Sequence, residues 1–176
     1  MTDKRLIRAE VRAARAAFGH HPVLPTPEFL TLLAPGLAIA AYAPVGSEAD
    51  PAALLLAARD AGCRVALPHV VDRETPLRFV LWNGEPLEPG PFSLSQPPAH
   101  AEEVAPDLIL TPLVAFDAAL NRIGQGAGHY DRAFAAHPQA KRIGVAYSVQ
   151  QVGPLEPDPW DLPLDAVITE QGWLTR

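Results

Sequence analysis

The sequence predicts an α/β fold, a layered domain built on a mostly parallel sheet. Apolar stretches of strand length recur at residues 37–43, 64–68, 77–82, 107–114, 142–147 and 166–169. Helical patterns stand between several of them, and strands that alternate with helices pair mainly in parallel. The stretch 108–114 is apolar at nearly every position, the pattern of a strand covered on both faces. The 176 residues read as one domain, long enough for a substantial core and without an internal repeat or linker.

Residues 3–17 form the first predicted helix, capped by Thr2 or Asp3. Lys4, Arg8, Arg12 and Arg15 stand at i, i+4, i+8 and i+11 and therefore share a face. That row is either a solvated basic face or a set of cations reaching an anion site. A second helix is predicted over 25–33, with Thr26 as cap and Pro27 at its first position. The loop 44–48 follows the strand 37–43, the end of the strand at which open α/β sheets bind ligands. Glu48 in that loop reads as a helix-start acid or as a carboxylate that recognises a ligand. Asp50 and Pro51 open a helix that runs to Ala61 and stops at Gly62. Asn83-Gly84 marks a turn, and residues 83–106 read as a long irregular loop of the sort that carries function. Phe92 within it either anchors the loop or stacks on a flat ligand. A second proline-rich loop covers 153–165, and Asp165 ends it just before the strand 166–169.

The stretch N-R-I-G-Q-G-A-G-H-Y-D-R, residues 121–132, stands between the strand 107–114 and a helix predicted over 130–136. Its glycines alternate at 124, 126 and 128. Glycine tolerates positive φ and carries no Cβ, so a ligand can come close to the backbone. Successive amides in such a loop converge on an anion, and the helix N-terminus behind them favours phosphate. Arg122 and Arg132 bracket the loop, and Asp131 offers a hard oxygen ligand. The alternative is a tight glycine turn with no ligand. A Walker loop is excluded, because Gly128 is followed by His129 and Tyr130 rather than Lys-Ser/Thr. The dinucleotide fingerprint fails too, with His129 where the third glycine belongs and Gln151 about twenty residues on.

Composition narrows the partners. The net charge of −6 argues against a general nucleic-acid binder. Residues 1–17 hold five cations against two carboxylates, a net +3, which leaves −9 on the rest of the chain. A basic helix on an acidic protein fits a local anion site. The apolar stretch 37–45 is too short to span a membrane and is broken by Pro44. The charged N-terminal residues do not resemble a secretion signal. One cysteine, Cys63, excludes an internal disulfide and suits the cytoplasm. These features predict a cytoplasmic protein without nucleic-acid or membrane partners, and the chain is separately expected to act on small molecules as a monomer.

Taken together the motifs resemble the 5-formyltetrahydrofolate cyclo-ligase (methenyltetrahydrofolate synthetase) family. The resemblance spans nearly the whole chain. It rests on Lys4-x-x-x-Arg8, the Glu48 loop, Phe92 near Gln96-Pro97, L-I-L-T-P-L-V-A-F-D, the 121–132 motif and D-L-P-L-D-A-V-I-T. The family usually has Tyr-Tyr-Asp where this chain has His129-Tyr130-Asp131. It commonly has basic residues or glycine at positions 125 and 127, here Gln125 and Ala127, and often His at the position of Trp160. The resemblance implies a three-layer α/β sandwich similar to ribose-phosphate isomerases and CoA transferases. It implies ATP-dependent conversion of 5-formyltetrahydrofolate to 5,10-methenyltetrahydrofolate, with ATP as cosubstrate and Mg²⁺. ATP contacts then fall to Lys4, Arg8, Arg122, Gly124, Gln125, Gly126, Ala127, Gly128, His129 and Tyr130. Lys4 and Arg122 become catalytic cations. Folate recognition falls to Glu48, Phe92, His129 and Tyr130, and Mg²⁺ to Asp131 and Asp165. Two other readings stay open, a non-catalytic folate- or nucleotide-binding relative and a sugar-phosphate isomerase of the same fold.

Overall fold

The computed structural model describes residues 3–176. Of the two caps expected for the first helix, Thr2 lies outside these residues, and Asp3 fills the role by accepting from the Arg5 amide at 2.8 Å. Helix α1 (Lys4–Phe18) ends at Gly19, whose φ of 81° stops it. Helix α2 (Pro27–Leu30) is shorter than expected. The Thr26 hydroxyl caps it, and successive turns rather than a helix carry the chain on to residue 33. Helix α3 (Ala52–Asp60) and helix α4 (His129–Ala136) complete the set.

The strands are β1 (Ala38–Ala40), β2 (Arg64–His69), β3 (Arg78–Leu81), β4 (Glu88–Pro89), β5 (Ser95–Gln96), β6 (Leu108–Pro112), β7 (Ala115–Phe116), β8 (Arg122–Ile123), β9 (Lys141–Val145), β10 (Ala166–Thr169) and β11 (Gly172–Leu174). Seven of them form one sheet in the order β11-β10-β9-β6-β1-β2-β3. The five inner strands run parallel, and β3 and β11 flank them antiparallel. The mostly parallel sheet expected from the sequence is therefore present. The edge strand β11 was not expected, because Gly172-Trp173-Leu174 is too short to stand out as a strand. The loop 83–106 is not wholly irregular, since β4 and β5 pair within it as a small ribbon.

Side-chain alternation along the strands builds two cores. Ile39, Val65, Leu110, Ile143 and Ile168 point to one face, where Leu54, Leu55 and Ala58 of α3 and Phe29 of α2 cover them. Ala38, Ala40, Ile109 and Val167 point to the other, where Ala133 and Phe134 of α4 pack. Helices on both faces make three layers and account for the unbroken apolarity of β6. A third cluster seats Ile7 and Val11 of α1 on Val114, Ala115, Ile123 and Leu155. Burying one such aliphatic side chain contributes about 1.5–3 kcal/mol, so this cluster fixes α1 across the carboxyl end of the sheet. Among the described residues, no helix is long and apolar enough to cross a membrane.

Strand β6 ends sooner than its apolar run. Past Pro112 the carbonyls turn out of the sheet: Arg15 donates to Leu113 at 3.3 Å, and Gln150 donates to Leu113 and Val114 at 2.8 and 3.0 Å. The chain then forms the β7–β8 ribbon. Asp117 ties its turn, accepting from the amides of Ala119, Asn121 and Leu155 and from the Asn121 side chain. Asp117 is thus a turn anchor, and the ribbon delivers the glycine loop to the carboxyl edge of the sheet.

Candidate active site

A cavity of about 840 Å³ opens at that edge. The segment after β1, the end of β2, the glycine loop, α1 and the two proline-rich loops line it. Every site residue expected from the sequence lines this cavity except Asp165.

All four residues of the basic row of α1 line the cavity, with Arg12 at its exposed side. Lys4 Nζ binds Asp158 at 2.6 Å and Asp161 at 3.1 Å. Burial lowers the Lys4 pKa, but the two carboxylates outweigh it and the ammonium ends above its ordinary value. Arg8 Nε donates to the Gly124 carbonyl at 2.9 Å, and Arg12 donates to the Gln125 side chain. Arg15 is buried, and its Nε donates to Ser47 Oγ at 3.0 Å. Four cations spaced along one helix are therefore threaded onto three different loops.

In the glycine loop, Gly126 has φ +106° and Gly128 has φ +69°. A Cβ on Gly128 would lie 3.0 Å from Arg132 Nη1, and one on Gly126 would face the Arg8 guanidinium at 3.8 Å. The bare backbone thus keeps the cations close to the loop. Gly128 then opens α4 as its left-handed cap. Arg122 is almost fully buried, donates to Asp131 Oδ1 at 2.5 Å and lies 5.0 Å from the Phe134 ring centroid. Its Nε has no hydrogen-bond partner among the described residues. Burial lowers the guanidinium pKa, and the nearby Asp131 and Asp161 work against that.

Glu48 is buried, so it is more than an exposed helix-start acid. Its Oε2 accepts from the Val45 amide at 2.9 Å and its Oε1 accepts from Gln125 Nε2 at 3.0 Å, joining the β1 loop to the glycine loop. Tyr130 is packed against the α4 core, and burial followed by the nearby Glu48 charge raises its phenol pKa far above the ordinary value. The His129 ring accepts from Arg132 Nη2 through Nδ1 at 3.2 Å, which leaves the proton on Nε2. Burial, then the Arg132 and Arg73 charges, lowers its pKa and favours the neutral ring. Phe92 is half exposed and sits at the rim 6.5 Å from His129, in a left-handed turn with φ 59°. The neighbouring Gln96 is buried and pins the β5 segment to Val70: its Oε1 accepts from the Val70 amide and its Nε2 donates to the Val70 carbonyl.

Asp165 requires a correction. It precedes β10, at the amino end of the parallel strands, whereas the cavity lies at their carboxyl ends. Both its oxygens bind Arg142, Oδ1 to Nη2 at 3.0 Å and Oδ2 to the backbone amide at 2.8 Å. It does not meet Asp131. The carboxylates that do share the cavity with Asp131 are Glu48, Asp158 and Asp161. Sequence reasoning missed Asp158 and Asp161, as well as Ser47 and Arg73. The only local signal for the two aspartates was their spacing around Trp160, which is 68 % exposed in a cavity-lining loop. Among the described residues, no three His, Cys, Asp or Glu side chains already stand as a metal cluster.

Such a site, a cationic helix and a glycine loop converging at the carboxyl edge of a three-layer α/β sandwich, has the donors and charge that a phosphorylated ligand requires. The chain matches the profile of the 5-formyltetrahydrofolate cyclo-ligase family over residues 1–170 and belongs to that family. It is 32 % identical over 140 residues to the 5-formyltetrahydrofolate cyclo-ligase of Escherichia coli K12, covering 74 % of this chain and 76 % of the relative. Its match to the Haemophilus influenzae enzyme of the same name is 39 % identical over 85 residues, 45 % of this chain and 46 % of the relative. Its fold is similar to the solution structure of Aquifex aeolicus 5,10-methenyltetrahydrofolate synthetase, with a TM-score of 0.75 and 27 % identity over 98 % of this chain and 92 % of that one.

Proposed function

We infer that this chain closes 5-formyltetrahydrofolate to 5,10-methenyltetrahydrofolate with the hydrolysis of ATP to ADP and phosphate. One observation carries the assignment of roles: the α1 cations, the glycine loop and Asp131 converge on one cavity that also holds a buried carboxylate and an exposed aromatic ring.

The chemistry gives each residue a task. A formamide oxygen is a poor leaving group. It attacks the γ-phosphorus, the bond to the β-phosphate oxygen breaks, and ADP departs. The folate N10 lone pair then attacks the formyl carbon, inorganic phosphate leaves with the formyl oxygen, and the N10 proton is lost to solvent. Phosphoryl transfer depends on positioning and charge neutralisation more than on a covalent nucleophile. The amides of residues 124–128 and the Arg8 guanidinium hold the phosphates, and Arg122 stabilises the charge that develops on them. Lys4 leaves its two aspartates to join the phosphates. Glu48 accepts N–H groups from the pterin ring, and Phe92 with the His129-Tyr130 edge packs the flat part of the folate.

Magnesium takes one or two carboxylates together with phosphate oxygens and water. Asp131 fits that requirement, being partly exposed and committed to one partner. When bound there, the ion neutralises charge on the transferring phosphoryl group. The reading takes residues 1–176 as one domain that works as a monomer in the cytoplasm. The test is methenyl product, followed by its absorbance, from 5-formyltetrahydrofolate with and without ATP and Mg²⁺. Product requires both, with one ADP per turnover. Equal rates without ATP would overturn the phosphoryl-transfer route.

A further inference from the structure

We propose that Arg73, at the rim of the cavity beside Phe92, binds a carboxylate of the substrate's glutamyl tail. The proposal rests on the folate reading above and adds a residue that the motifs never marked.

A reduced folate is flat and neutral at its pterin end and dianionic at its glutamate end. The inner cavity wall suits the first end, with Glu48 buried beneath the glycine loop. The second end needs a cation near the opening, beside an apolar surface for the intervening benzoyl ring. Arg73 and Phe92 supply that pair: the guanidinium carbon lies 5.3 Å from the Phe92 ring centroid, and both residues line the cavity. The Arg73 backbone is held in place, since Arg132 Nη2 donates to its carbonyl at 2.5 Å while also donating to His129. The loop bearing Arg73 is thereby tied to the helix that follows the glycine loop.

The guanidinium has charge to spare. Among the described residues, Arg73 makes no ion pair within 4.0 Å. Its neighbour Asp72 is committed to the amides of Glu74 and Thr75, at 2.9 and 2.6 Å. Glu74 is exposed on the same loop and pairs with no cation among the described residues. Arg132 adds a second positive charge nearby, with its buried Nε left without a partner among the described residues. Two guanidinium groups thus stand beside a half-exposed aromatic ring, and the two carboxylates of the same loop, Asp72 and Glu74, pair with neither of them among the described residues.

The test pairs one variant with one altered substrate. Wild-type enzyme and Arg73→Gln are each assayed with 5-formyltetrahydrofolate and with its tail diamide, which has the same length and no tail charge. The wild type should show a KM for the diamide about three- to tenfold above that for the dicarboxylate, the range of a partly exposed charged pair. Arg73→Gln should lose this preference by raising the KM of the dicarboxylate alone, with kcat and the ATP KM unchanged. Added salt should shrink the wild-type preference, because exposed charges are screened. Equal KM changes for both substrates, or none, would overturn the subsite. If the wild type forms no methenyl product from either substrate, the folate reading itself fails and takes the subsite with it.

Discussion

Two arginine–aspartate pairs mark opposite edges of the sheet. At the carboxyl edge, Arg122 meets Asp131 through a single contact of 2.5 Å, and among the described residues Arg122 Nε has no partner. At the amino edge, Arg142 binds Asp165 through its side chain and its backbone amide together, and the pair faces a shallow hollow by the C-terminal residues. The residue types are the same. What differs is how much bonding capacity each pair leaves unspent. The first pair has donors and acceptors to offer a ligand, whereas the second has used its own to join β9 to the start of β10.

Removing charge from the two aspartates separates the edges most strongly. Asp131→Asn should depress kcat by about two to three orders of magnitude, as for loss of one electrostatic stabiliser, and raise the Mg²⁺ requirement. Asp165→Asn should keep wild-type Mg²⁺ dependence and lower only thermal stability. Activity titrated against Mg²⁺ in both variants decides it, and a shifted Mg²⁺ curve for Asp165→Asn would return that residue to the metal site.

Gly126→Val should come next in size. A β-branched residue resists φ +106° and would crowd the Arg8 guanidinium 3.8 Å away. Activity should fall at least about tenfold while the melting transition stays cooperative, since a misplaced phosphate site costs that much or more. A fully active variant would mean that the loop does not come close to its ligand.

The smallest effect concerns acid. Asp117, buried in the turn that carries the glycine loop, has burial pushing its carboxyl up, but bonds from Leu155, Asn121 and Ala119 outweigh this and hold it below its ordinary value. Its folded pKa lies below the unfolded one, so its stabilisation is present above about pH 4 and lost as pH falls through the folded value. The melting temperature should decline over that acid range. Asp117→Asn should lower stability at pH 7 by about 1–3 kcal/mol, because an amide nitrogen then faces donors, and should flatten the acid decline. An unchanged acid limb in the variant would show that another group governs it.

Local spacing made much of this molecule legible. The i, i+4, i+8, i+11 row of α1 and the glycines at 124, 126 and 128 need only a few consecutive turns to be read, and both face the cavity. Ala166–Thr169 is bounded where its apolar run is bounded. What sequence could not supply was the edge of the sheet to which a residue belongs. Asp165 follows a proline-rich loop that lines the cavity, yet the chain crosses back to the amino end before it reaches that position. Nor could spacing pair Lys4 with Asp158, 154 positions away. The left-handed backbone at Phe92 and Ser93 is equally silent, since neither residue type favours positive φ.

The grip of Asp158 and Asp161 on Lys4 has a consequence for assembly. It joins the first helix to one of the last loops, so the cavity wall closes only after the intervening strands have found their places. Long-range contacts of this kind reward the chain late, once loop-closure entropy has been overcome. During synthesis Lys4 precedes Asp158 by 154 positions and waits for its carboxylates until the intervening strands have followed. The cavity is therefore complete only once the loop 153–165 has followed, and a product truncated before it would lack that wall even with several strands correctly paired.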